Sequence, residues 1–133
     1  MSRFVIDASA AVEYLLRSPV GLTLGDMLSD AHIDAPELLD AEVMSTLRRH
    51  VGAQRLDSDQ AERLLDNLAA WPINRISHRV LTRSAWQYRQ NVSAYDAMYV
   101  ATAAAFNAPL LTADAKLTRA PNLGIAIHHV QLS

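Results

Sequence analysis

Four acids, Asp7, Glu42, Asp96 and Asp114, occupy settings that suit shared chemistry better than simple solvation. Asp7 ends the apolar run Phe4-Val5-Ile6, and Asp114 follows the apolar segment Leu110-Leu111-Thr112 by two residues. Open α/β sheets place their ligands outside the carboxyl ends of the strands, which is where both aspartates would fall. Glu42 stands in the apolar first half of a helical segment, beside a stripe of Leu39, Val43 and Leu47. Asp96 comes one turn into a segment rich in alanine. Carboxylates gathered at one sheet edge repel each other and raise one another's pKa values, a cost that a divalent cation removes. With no cysteine and no histidines at ligand spacing, the oxygen donors suit Mg²⁺ or Mn²⁺ rather than zinc. Such a site acidifies water and stabilises charge on a phosphoryl oxygen, so metal-assisted phosphodiester hydrolysis is the matching reaction class.

Each acid also has a local role open to it. Asp7 can cap the helix that follows, as Asp often does. Asp96 can be the third-position acid of a capping box begun by Ser93, Asp114 can cap a turn through Lys116 and Leu117, and Glu42 can be a solvated helix acid.

The elements that must position these acids read as alternating strands and helices. A strand over 3–7 leads into a helix over 8–16, broken near Ser18-Pro19, with a second helical piece over 21–30. A short strand over 32–35 is stopped by Pro36, ahead of a helix over 37–51 that Gly52 would cap. A helix starting at Asp57-Ser58-Asp59 ends before Pro72 and is followed by a weak strand over 73–76 and a helix over 77–90. Ser93 starts a helix over 94–106, whose small residues let it lie close to a sheet. Strands over 110–112 and 125–130 complete the chain. Short apolar strands alternating with amphipathic helices give βαβ units and a mainly parallel sheet flanked by helices, here in one α/β domain spanning 1–133.

In order and flanks, four segments resemble the PIN-domain ribonucleases of the VapC type, the toxin half of bacterial toxin–antitoxin pairs. They are Val5-Ile6-Asp7-Ala8-Ser9-Ala10, Glu42-Val43-Met44-Ser45-Thr46-Leu47-Arg48-Arg49, Tyr95-Asp96-Ala97-Met98-Tyr99-Val100-Ala101-Thr102-Ala103, and Leu111-Thr112-Ala113-Asp114-Ala115-Lys116-Leu117. The resemblance covers essentially the whole chain and implies a PIN-like α/β/α fold and Mg²⁺-dependent endonuclease activity on RNA. It implies that Asp7, Asp96 and Asp114 bind metal directly or through water, with Glu42 completing the acidic set. Ser9 and Thr112 would be supporting hydroxyls. It further implies a small cognate antitoxin, seated in an apolar groove around Val12, Leu15, Leu16 and Leu47, and a homodimer.

Composition narrows the alternatives. Among 133 residues there is no cysteine, which excludes disulfides, thiolate catalysis and Cys-ligated zinc. No stretch has the length and apolarity of a membrane span or a secretory leader, so a cytoplasmic protein without membrane attachment is expected. The net charge of -2 argues against bulk polyelectrolyte binding of nucleic acid. Lys116 is the sole lysine among 12 Lys and Arg, and arginine suits bidentate phosphate contacts, although an arginine bias also follows from genomic base composition. Arg75, Arg79 and Arg83 recur every four residues, which would put the latter two on one helix face where they could touch phosphate. Trp71, Trp86 and Tyr88 suit core packing or a protein interface. Two rival readings are a PIN-like module that only binds RNA or protein, and a phosphatase with an aspartyl nucleophile. The first would have no need of a repulsive acid cluster. The second wants an acid two positions after Asp7, where this chain has Ser9.

Overall fold

Phe4, Val5 and Ile6 are β-forming residues, and the last two are fully buried in strand β1 (Arg3–Ile6). The computed structural model, which describes residues 2–131, places β1 at the centre of a five-stranded sheet. The other strands are β2 (His32–Pro36), β3 (Asn74–Ile76), β4 (Leu110–Thr112) and β5 (Ile127–His129). Their order is β3-β2-β1-β4-β5, and every neighbouring pair is parallel. Parallel neighbours need crossover connections, and helices supply them.

The helices are α1 (Ala8–Leu16), α2 (Pro19–Leu28), α3 (Leu38–Gly52), α4 (Ser58–Ala70), α5 (Thr82–Trp86), α6 (Ala94–Phe106) and α7 (Ala115–Thr118). Helix α6 lies on β1, β2 and β4 with α5 beside it, while α1 packs against α2, α3 and α4. The run Ala97 to Ala103 in α6 is buried throughout, so its small residues do bring that helix onto the sheet. Helix α2 approaches α1 so closely that a Cβ on Gly21 would stand 1.9 Å from the Glu13 carbonyl oxygen; only glycine fits there.

The chain steps from β1 to β2 and β3 on one side, then crosses back to β4 and β5 on the other. Strand order therefore reverses between β1 and β4, and a crevice at such a reversal, outside the carboxyl ends, is where open α/β sheets bind ligands. That crevice lies between Asp7 and Asp114.

Several expectations are corrected. The last strand is shorter than 125–130. Helix α2 starts earlier, because Ser18 caps it and Pro19 takes its first position. Gly52 is the last helical residue rather than the cap, which is Ala53, and Gln54 takes the positive φ. The helix expected over 77–90 is a 3-10 turn at His78–Val80, then α5, then turns. Of the expected groove residues, Leu15 and Leu16 border hollows beside α1 and Val12 borders the cleft of the acids, whereas Leu47 is a core residue. Among the described residues, no helix is long and apolar enough to cross a membrane.

Candidate active site

Asp7 is 6% exposed and follows the central strand directly, so its place is fixed by the sheet. Its backbone N–H donates to Leu111 O of β4 at 3.1 Å. Its side chain is the N-cap of α1: Oδ1 accepts from the Ala10 N–H at 3.0 Å and from the Ser9 hydroxyl at 2.7 Å. The cap and the functional position are therefore one arrangement. Among the described residues, no hydrogen bond reaches the other oxygen, Oδ2. Ser9 also accepts from the Ala113 N–H at 2.9 Å and lies 3.2 Å from the Thr112 hydroxyl, which tightens the β1 and β4 ends against each other.

The other acids are held in similar half-measures. Glu42 Oε1 accepts from the Tyr99 hydroxyl at 2.6 Å, a contact between residues 57 apart in the chain. Tyr99 is 1% exposed, so the buried ring fixes where Glu42 can point. Ser93 caps α6 through the Asp96 N–H at 3.1 Å, but the Asp96 carboxylate does not return the bond, so the box is half made and the acid is free for the crevice. Asp114 caps α7 through the Lys116 N–H with Oδ1, and it is exposed at the rim.

The four acids line one cleft of about 390 Å³, with Ser9, Tyr99, Thr46, Arg49 and His50. Burial raises the pKa of Asp7 against the pull of Ser9, Thr112 and the Ala10 N–H, and the charge of Asp96 adds to the rise. Burial likewise raises Asp96, with Asp114 adding and with Ser93 and Lys116 opposing. Tyr99 is pushed far above its ordinary value by burial, then by Glu42, Asp7 and Asp96, so it remains a hydrogen donor. A larger hollow of about 470 Å³ between α1, α2 and α4 is lined by Tyr14, Leu22 and Trp71 and contains no acid, so it lacks the groups for phosphodiester chemistry.

Sequence comparison identifies the family. The PIN domain family model matches residues 4–123. The chain belongs to the PIN-domain family. Among its relatives, Ribonuclease VapC1 of Mycobacterium tuberculosis is 41% identical over 133 residues, covering 98% of this chain and all of that protein. Ribonuclease VapC12 of the same organism is 32% identical over 86% of this chain and 89% of its own length. The fold matches VapBC from Salmonella typhimurium, crystallised bound to DNA, with a TM-score of 0.68 at 16% identity over 98% of this chain and 100% of that one. VapBC2 from Rickettsia felis, bound to a DNA fragment from their promoter, matches with a TM-score of 0.66 at 16% identity over 97% and 99%.

In this PIN domain the donor set fits a hydrated hard cation. Asp7 keeps one oxygen unpartnered, the charge of Asp96 raises Asp7 and that of Asp114 raises Asp96, and the donors are oxygens. Among the described residues, no three Asp, Glu or His groups stand close enough to hold an ion directly. A cation here would therefore be held by one or two of the carboxylates and otherwise through water.

Sequence reasoning missed Tyr99 as a site residue, and its neighbourhood Tyr95-Asp96-Ala97-Met98-Tyr99 carried one signal, a hydroxyl one turn past an acid. The arginine face is corrected. Arg75 donates to both Asp40 oxygens and to the carbonyls of Leu68, Trp71 and Ile73, so it locks α4 to the sheet. Arg79 and Arg83 stand on different elements. Trp71 stacks on Tyr14 with centroids 4.4 Å apart, which is packing.

Proposed function

We propose that this PIN domain is the endoribonuclease toxin of a toxin–antitoxin pair, hydrolysing RNA phosphodiester bonds with Mg²⁺, or Mn²⁺ in its place. The observation that carries the reading is Asp7: buried at the sheet's reversal point, anchored through Oδ1, and left with Oδ2 free beside Asp96 and Asp114. Asp7, Asp96 and Asp114 would hold the cation, partly through water, and it would supply positive charge to the scissile phosphate and acidity to water. The remaining work belongs to the chain. Ser9 and the Ala10 N–H fix Asp7, and Tyr99 fixes Glu42. The proton of the attacking water passes to a carboxylate oxygen these anchors leave free, on Glu42 or Asp114.

The domain comprises 1–133, supported by β5, which lies past the matched residues and pairs with β4. It works in the cytoplasm, with its RNA substrate. The partner is a small cognate antitoxin. The hollow between α1, α2 and α4 is the groove that supports it, with Leu22 exposed at its wall. A homodimer is supported by the exposed apolar pair Val80 and Trp86.

The decisive experiment is Asp7→Asn, which keeps the cap acceptor and removes the charge. RNA cleavage should fall by about 10²–10³-fold, the loss typical of one group that stabilises developing charge. Retained cleavage by a folded variant would overturn the assignment.

A further inference from the structure

Helix α3 starts without a cap of its own. Its N-cap residue, Glu37, is exposed and offers no side-chain bond to the first turn. The free N–H groups at a helix start need partners, and a neighbouring side chain usually supplies one. Here the partner comes from 40 residues away: the Leu38 N–H donates at 2.9 Å to Nε2 of His78, half-buried on the 3-10 turn that follows β3. The same stretch grips α3 twice more, through the Glu37 N–H on Ile76 O at 3.0 Å and through Arg75 on Asp40 at 2.9 Å. Of the three, only His78 serves a first-turn N–H of the helix. An imidazole nitrogen accepts only when it carries no proton, so the donor it faces sets the ring neutral with its proton on Nδ1.

We propose that His78 is a positioning residue: it caps α3 from a separate element and so holds Glu42 in place. Glu42 stands one turn after Leu38, and in an α-helix its N–H pairs with the Leu38 carbonyl. The Leu38 peptide is therefore bonded to His78 through its N–H and to the Glu42 backbone through its carbonyl. The Leu38 side chain packs against both apolar clusters, which keeps that peptide in place. From α6, the Tyr99 hydroxyl fixes the Glu42 carboxylate. Tyr99 thus sets the direction of the acid, and His78 sets the helix turn that carries it. The cap stands on the geometry alone; its effect on turnover rests on the ribonuclease reading.

The test follows the Leu38 amide by hydrogen exchange, and turnover of a labelled RNA, in the full chain and two variants. His78→Ala removes the acceptor, while His78→Gln keeps an oxygen acceptor at about the same reach. The Leu38 amide should exchange about tenfold faster in His78→Ala and near its original rate in His78→Gln. With RNA, His78→Ala should lower kcat about 3- to 10-fold with KM within about twofold, and His78→Gln should restore kcat. Unchanged Leu38 exchange in a folded His78→Ala protein overturns the cap. Faster exchange with full kcat, or a kcat loss that His78→Gln shares while protecting Leu38, overturns the positioning of Glu42. In the original chain, nitrogen NMR of the His78 ring should show Nε2 unprotonated and Nδ1 protonated; the reverse overturns the cap even if His78→Ala fails to fold. Failure of the original chain to cleave RNA overturns the ribonuclease reading instead, and the exchange result still decides the cap.

Discussion

Two buried aspartates flank the same strand and are treated in opposite ways. Asp34 of β2 is 1% exposed and faces Val5 in register. It accepts from Arg3 Nε at 2.7 Å and from Arg3's second guanidinium nitrogen at 3.3 Å, and Asn74 donates to it at 2.9 Å. Arg3 is itself held by Phe106, whose ring lies 4.3 Å beneath its guanidinium, and the Asp34 hydrogen bond raises its pKa. Asp7 is about as covered but receives no charged donor, only neutral hydroxyls and a backbone N–H, while the charge acting on it is that of another acid, Asp96. One end of β1 thus carries a completed ion pair that ties β1, β2 and β3 together. The other end carries a charge deficit. A buried acid is expensive unless paired, so the unpaired one is where a cation from outside would relieve the most.

Substitutions can break or sharpen that contrast. The largest stability effect belongs to the completed pair: Asp34→Ala should cost about 2–3 kcal/mol in urea unfolding, with cleavage per folded molecule retained. A loss of activity without a loss of stability would erase the contrast. Next comes the anchor of the site. Tyr99→Phe removes one hydroxyl and should lower kcat about tenfold with KM little changed, the worth of one hydrogen bond to a charged group. An altered KM with intact kcat would instead place Tyr99 in substrate binding. The smallest effect is in Asp7→Asn without metal, which should raise Tm at neutral pH by a few degrees, because it removes an unpaired buried charge. The sign follows from the raised values of Asp7 and Asp96. Their contribution to stability is complete below the unfolded value of 3.8 and is lost as pH rises through the folded values. The gain from the substitution should therefore grow with pH, and Mg²⁺ should raise Tm in the original chain but not in the variant. A variant less stable at every pH would show that the charge of Asp7 is already satisfied.

Local signals carried much of the fold. Phe4-Val5-Ile6 ahead of a helix-forming run, Ser93 ahead of an alanine-rich helix, and Pro36 at the end of a strand all act within a few residues, and each element formed close to where its pattern placed it. The segment 77–90 did not, because a distant contact decides it. The Leu38 N–H at the start of α3 donates to His78 Nε2 at 2.9 Å, and Ser77 caps the turn there, so the chain is pinned where a helix would have begun. Only Leu81 and Ala85 of that segment are buried, too few for an apolar face. At the site, the acids were legible because strand ends and caps are local. Tyr99 on Glu42 and Arg75 on α4 were not, since each joins elements that only the finished fold brings together.

The β1–β4 junction has a consequence for how such a chain can be made. Ser9 and Thr112, which close that junction, are 103 residues apart, and Asp96 and Asp114 are synthesised long after Asp7 and Glu42. Pairing over that span is slow to close and cannot begin until β4 exists. A nascent chain that ends just before β4 therefore carries Asp7, Glu42 and Asp96 without the strand that completes their surroundings. Completion of the acidic cleft is thus one of the last events the chain order allows.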